Sequence, residues 1–181
     1  MVACYSSVAC VFRQKMRKFQ SRHVKPIFRF QSPKEEYRCD AVVMACFDHR
    51  FDLVLLEFLK GIGIVNPDLI IIAGGARSLA SPEHDTDREF VLDQIEKSIG
   101  LHGTDRAILM LHSDCGAYGG LEKFNGNEAE EFAHHSAELM RARAILQGAF
   151  PSLAVECCFI DFAGVRQLDP IPLRTSAETR D

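Results

Sequence analysis

Apolar residues gather in four short runs along this chain: Ala41–Ala45, Leu69–Ala73, Ala107–Leu111 and Leu153–Ile160. Runs of this length, separated by stretches with helical spacing, predict parallel strands buried on both faces. Leu and Phe recur at helical spacing over Phe51–Lys60, and Gly61 and Gly63 follow as stop signals. Pro67-Asp68 then marks a turn. Ser81-Pro82-Glu83 offers an N-cap, a first-position proline and an acid in the first turn. Leu92, Ile95 and Ile99 line the helix that follows, which Gly100 closes. The longest helical pattern is Glu128–Gln147, striped by Phe132, His135, Leu139, Ala142 and Leu146. A short helix with Phe12, Met16 and Phe19 on one side is expected over Phe12–His23. The alternation predicts an α/β fold of three layers: a four-stranded, mainly parallel sheet flanked by helices and joined by right-handed crossovers. Ligands of such sheets bind at the carboxyl ends of the strands.

Length and charge refine this outline. The 181 residues suffice for one domain with a sizeable core. Residues 1–33 hold seven Lys or Arg and no acid, which leaves 14 basic against 25 acidic residues in the rest. Three segments are expected: a basic arm or extension over 1–36, the α/β domain over 37–166, and a polar, loosely held tail over 167–181 containing Pro170 and Pro172. The basic start reads first as a solvated arm, then as a helix docking on a partner subunit or an organelle transit peptide. Nucleic-acid binding ranks last, since few aromatics interleave the charges. No apolar run reaches the length of a membrane span, and no signal-peptide pattern is evident, so a cytoplasmic protein is expected. Seven cysteines are an odd number without small-scaffold spacing. They fit free or metal-bound thiols better than a disulfide framework.

The chemistry concentrates where strands end. After the first run come Cys46, Asp48 and Arg50 at alternate positions, which places them on one side if the strand continues. The third run delivers His112, with Cys115 three residues on. Two thiolates and an imidazole suit zinc, and three protein ligands leave a fourth tetrahedral position for water. Asp48 either ligates the metal or pairs with Arg50 in a bidentate bridge.

Cys46-Phe-Asp48-His-Arg50 and His112-Ser-Asp-Cys115-Gly116 resemble the two signature motifs of the β-class carbonic anhydrases, over residues 40 to about 165. The resemblance implies zinc held by Cys46, His112 and Cys115, an Asp48–Arg50 dyad controlling the open position, and strand order 2-1-3-4. It also implies a homodimer or higher homo-oligomer, with the cleft near the subunit boundary. The implied reaction is reversible hydration of carbon dioxide to bicarbonate by zinc-bound hydroxide. Some similar proteins act instead on carbon disulfide, and carbonyl sulfide is a related alternative. The chain departs from the family pattern at His49, where a small residue is usual, and at Ala73-Gly74-Gly75-Ala76-Arg77, where an Arg-Asn-Ala-Gly-Asn type of loop is common.

Other candidates have plainer readings. His49 is expected to point away from Cys46, and His135 to be a core-edge histidine held by a hydrogen bond. His134, Glu138 and Arg141 share a polar, solvated face. Asp114 has a turn or cap role, Asp161 ends the fourth strand, and Arg77 is a surface charge. Gly74-Gly75 is too slight for a nucleotide fingerprint. Two further functions compete: a catalytically silent zinc-binding assembly module with Asp48 as fourth ligand, and, ranked low, a cysteine nucleophile with Arg50 gripping an anion. The second lacks the glycines and backbone N–H cradle of a phosphate loop.

Overall fold

The computed structural model of the chain describes residues 26–168. The expected helix over Phe12–His23, most of the basic arm and nearly all of the polar tail lie outside them. The chain divides into two units, Met1–Glu35 and Glu36–Asp181. Described residues of the first unit carry no helix or strand.

The second unit is built on a five-stranded sheet in the order β2-β1-β3-β4-β5. Strands β1 (Ala41–Ala45), β2 (Pro67–Ile71), β3 (Arg106–His112) and β4 (Ala154–Asp161) are mutually parallel. The four expected strands thus stand in the order 2-1-3-4. A fifth, β5 (Gly164–Gln167), adds to the edge antiparallel to β4. This strand was not expected: Gly-Val-Arg-Gln carries no apolar run. Its turn is held by Asp161, whose Oδ1 accepts from the N–H of Ala163 at 2.8 Å and of Gly164 at 3.0 Å, while Oδ2 accepts from Arg166 at 2.6 Å.

Burial follows the pleat. All five residues of β1 are buried, as its central place between β2 and β3 requires. One face of the sheet meets α1 (Asp52–Gly61) through Val43, Ala45, Ile108, Met110 and Ile160 against Phe51, Leu55 and Leu59. The other face meets α2 (Arg77–Ala80), α3 (Asp85–His102) and α4 (Glu128–Ala149), with Met44, Leu109, Leu111 and Phe159 against Leu79, Ile95, Leu139 and Leu146. Each core is closed on one side by the sheet and on the other by helices, giving the three layers.

Several boundaries differ from the sequence reading for local reasons. Pro67-Asp68 opens β2 instead of forming a turn; proline is tolerated at the first residue of an edge strand. Asp68 accepts from Tyr37 at 2.7 Å, Ser98 at 2.5 Å and His102 at 2.8 Å, which ties the start of β2 to the end of α3. Ser81 does not cap α3. It ends α2, and its hydroxyl donates to Glu138, so α3 starts after His84, whose N–H donates to Asp87. Gly100 lies inside α3. The stop is Gly103, left-handed at φ 65°, with its N–H on Ile99 O at 3.1 Å. No helix among the described residues is long and apolar enough to cross a membrane.

Candidate functional site

The site forms where β1 and β3 end side by side. Cys46 follows the last residue of β1, and His112 is the last residue of β3. The chain then turns back through Asp114, left-handed at φ 53°, and a 3-10 turn over Gly116–Tyr118, which brings Cys115 under the strand ends. The ligand atoms of Cys46, His112 and Cys115 all lie within 4.8 Å of one another.

The imidazole is presented in one tautomer. His112 Nδ1 lies 2.7 Å from the Ser113 carbonyl oxygen, which can only accept, so Nδ1 carries the hydrogen. Nε2 is left with its lone pair, buried and without a hydrogen-bond partner. A buried nitrogen of that kind is costly unless something binds it. Two sulfurs stand within reach of it, and a soft cation such as Zn2+ accepts two thiolates and one imidazole. The residues present therefore fit a zinc ion, with the Ser113 carbonyl orienting the ring from behind.

The two thiols shift in opposite directions. The neighbouring Cys115 thiol, opposed by burial and helped by the Gly74 N–H, pulls the Cys46 thiol well below its usual range. Cys115 moves up, because it donates to the Cys46 thiolate and is itself buried. Burial works against a charged His112, but the Cys46 thiolate and the Ser113 carbonyl outweigh it and raise its pKa.

Asp48 and Arg50 are brought together, though not by strand alternation. β1 stops at Ala45, and His49–Phe51 is a 3-10 turn capped by Asp48, whose Oδ1 accepts from the Arg50 N–H at 3.1 Å. The Arg50 guanidinium closes the fork, with Nε donating to Oδ1 at 3.0 Å and to Oδ2 at 3.1 Å, and Nη2 to Oδ2 at 2.6 Å. Both carboxylate oxygens are engaged, and the Asp48 carboxylate stands outside the Cys-His-Cys cluster. In this structure Asp48 is paired with Arg50. Arg50 holds Asp48 down at about 2 against a small burial cost.

The far edge of Arg50 is held too. Nη1 donates to Asp114 Oδ2 at 2.9 Å and Nη2 to the Asp114 carbonyl at 3.1 Å. Asp114 does have the expected turn role, its Oδ1 accepting from Leu121 N–H at 3.0 Å, but it also clamps the arginine. Its own N–H donates to Glu131 Oε1 at 2.7 Å, and Glu131 is 1% exposed. Neither link was read from the sequence. The available signal was the helical position of Glu131, four residues before His135 on the buried stripe. Phe51 and Phe162, rings 5.3 Å apart, flank the guanidinium at 5.6 and 5.5 Å, and Phe51 also meets the His112 ring at 4.8 Å.

The Gly-rich departure lies under the site. Gly74 N–H donates to Cys46 Sγ at 3.3 Å. Gly75, at φ 51°, has no room for a side chain: a Cβ there would meet Met110 O at 2.5 Å and Cys46 N at 3.0 Å. His49 points to solvent and bonds Asp52 at 2.7 Å. His135 differs from expectation. It is fully buried, and neither ring nitrogen has a hydrogen-bond partner. Glu138 differs as well, being buried beneath Ser81 and Tyr118 instead of solvated. Cys39, Cys46, Cys115 and Cys158 are free thiols among the described residues.

Comparison with known proteins adds the family. A family described as "Putative carbonic anhydrase" matches residues 36–167. An uncharacterized protein of Rickettsia conorii is 29% identical over 136 residues, 72% of this chain and 73% of that protein. The carbonic anhydrase from Streptococcus mutans superposes with a TM-score of 0.51 at 13% identity, covering 92% of this chain and 100% of that one. The carbonic anhydrase from Glaciozyma antarctica gives 0.50 at 16% identity, over 93% and 100%. These two likenesses speak to the fold, whose parallel core they share. Since the family match spans the whole sheet and both cysteine-bearing turns, the chain belongs to the carbonic anhydrase family, as a divergent member of its β class.

Proposed function

We propose that this protein binds one zinc ion through Cys46, His112 and Cys115 and catalyses the reversible hydration of carbon dioxide to bicarbonate. The observation that carries this reading is the convergence of two sulfurs and an unpartnered imidazole nitrogen within 4.8 Å, beside a carboxylate already claimed by an arginine. When bound, zinc supplies the Lewis acidity that lets water ionise near neutral pH. The remaining work falls to the chain. Arg50, clamped at its far edge by Asp114, keeps Asp48 ionised and out of the ligand set. Asp48 offers an oriented negative acceptor to a hydrogen of the reacting water. Phe51 and the exposed Phe162 add apolar ring surface beside the guanidinium that holds that acceptor.

Assembly belongs to the same reading. Leu69 and Ile71 of edge strand β2 register with Val43 and Ala45, so they face the α1 side of the sheet, yet they are exposed. Leu53 and Leu56 of α1 are exposed as well. An open strand edge beside apolar side chains invites pairing, and a homodimer is the simplest partner.

The test is a stopped-flow carbon dioxide hydration assay on chelator-treated and zinc-reconstituted protein, with sulfide release from carbon disulfide and carbonyl sulfide measured in parallel. Zinc-dependent bicarbonate formation is expected. Sulfide release without it would reassign the substrate, and bound zinc without either activity over a broad pH range would favour the silent assembly module.

A further inference from the structure

A second polar cavity lies on the helical face of the sheet, behind the turn that carries Cys115. Its volume is about 340 Å3, and none of Cys46, Asp48, Arg50, His112 or Cys115 lines it. Arg77 opens α2, Tyr118 and Lys123 sit on the two 3-10 turns after Cys115, and His134, Glu138 and Arg141 follow one another along one face of α4. Three permanent cations and one imidazole thus face a space that contains a single carboxylate.

That carboxylate is spent. Glu138 is 4% exposed, and its Oε1 accepts from Arg141 Nη1 at 2.7 Å. Its Oε2 accepts from the Ser81 hydroxyl and from Tyr118 OH at 3.2 Å. Glu138 therefore acts as an anchor that draws Ser81, Tyr118 and Arg141 together, and offers little repulsion to an incoming anion. Arg141 uses one N–H on it, so most of the guanidinium fork is left for another acceptor. Arg77 uses one N–H on the exposed Glu83, at 3.2 Å, and rests 5.7 Å from the centre of the Tyr118 ring. Lys123 has no carboxylate partner among the described residues. Its ammonium rests 5.8 Å from the same ring and 5.6 Å from Phe124. A cation on an aromatic face keeps its N–H groups available.

Three like charges around one cavity repel unless an anion joins them. Two guanidinium forks and an ammonium suit the several oxygens of a phosphoryl group. The geometry points to a binding site for phosphate, free or as a small monoester, framed by Arg77, Lys123 and Arg141 with Tyr118 as its floor. The site uses no group of the candidate metal centre, so it stands or falls separately from the carbonic anhydrase reading.

The test is an NMR titration of the full chain with inorganic phosphate at constant ionic strength, made up with chloride, reading the His134 ring resonances. A saturable shift is expected. Lys123→Ala and Arg141→Ala should each weaken it by about tenfold, the scale of a lost hydrogen bond to a charged group. Arg141→Lys should fall between, and Lys60→Ala on α1 should change nothing. Phenyl phosphate in a second arm separates the sources: tighter binding than inorganic phosphate marks an ester site, and equal binding marks free phosphate. Variants are compared only where their far-UV circular dichroism matches the parent, with Lys123→Gln replacing any that fails. Absence of saturation, or saturation that Lys123→Ala and Arg141→Ala leave unchanged, or equal loss in Lys60→Ala, overturns the proposal.

Discussion

Two buried histidines sit on opposite sides of this fold's logic. His112 ends β3 at the rim of the sheet, and His135 lies in the middle of α4. Each has a ring nitrogen that no hydrogen bond satisfies. Their surroundings differ. His112 has one nitrogen fixed by the Ser113 carbonyl and the other aimed at two thiols, and these neighbours raise its pKa against burial. His135 is enclosed by the rings of Tyr118, Phe124, His134 and Phe159, with Glu131 Oε1 at 3.7 Å. Burial first, then the nearby cations, push its pKa down to about 3. An orphaned buried imidazole is thus not a site by itself. A second and third donor make it one.

The largest expected effect tests the first half of that contrast. His112→Ala should abolish stoichiometric zinc binding and reduce hydration to background, since it removes one of three ligands, and Cys46→Ser should lower metal content as well. Metal analysis after gel filtration measures both. Full occupancy in His112→Ala would remove the imidazole from the ligand set. Next come Asp48→Asn and Arg50→Ala. Each should keep zinc and lose on the order of 10²–10⁴ in turnover, the usual range for a positioned acid-base group. Asp48 stays ionised down to about pH 2, so the acid limb of the rate profile should not belong to it. Loss of zinc in Asp48→Asn would instead make that carboxylate a ligand.

A smaller effect is expected one link back. Asp114→Ala releases the far edge of Arg50, and turnover should fall about tenfold with zinc retained, as for other orienting partners around metal sites. Unchanged turnover would mean that the 3-10 turn alone positions the arginine. The smallest effect at neutral pH belongs to His135→Leu. It removes two unpaired buried nitrogens, so zinc content should hold and stability change by no more than about 1 kcal/mol. Acid separates the two proteins. The imidazole of the unfolded chain takes up a proton near 6.5, the folded one only near 3. Between those values the unfolded state binds the extra proton, so the parent loses stability as pH falls through that window. Urea midpoints at pH 7 and pH 4.5 should diverge less in His135→Leu than in the parent. Equal divergence would assign the acid sensitivity elsewhere.

The candidate metal-binding trio was legible because Cys46 and His112 sit where apolar runs end, parallel strands put their ends together, and Cys115 follows three residues after His112. The Asp48–Arg50 pairing was visible as a possibility, but its cause was misread: a capped 3-10 turn joins them, and such turns leave no periodic mark. Asp114 and Glu131 were hidden for another reason. Their roles depend on a left-handed backbone at Asp114 and on a carboxylate that reaches across from α4. Glu138 looked solvated because polar residues flank it, although it lies three residues past His135, near the buried stripe. β5 escaped notice because its pairing comes from the Asp161 turn and not from its own side chains.

The most direct measurement is zinc K-edge X-ray absorption on the purified full chain. Two sulfurs at about 2.3 Å and one imidazole nitrogen at about 2.0–2.1 Å are expected, with a light fourth neighbour. A shell without sulfur, or with only one, would contradict the meeting of Cys46 and Cys115 on a single ion.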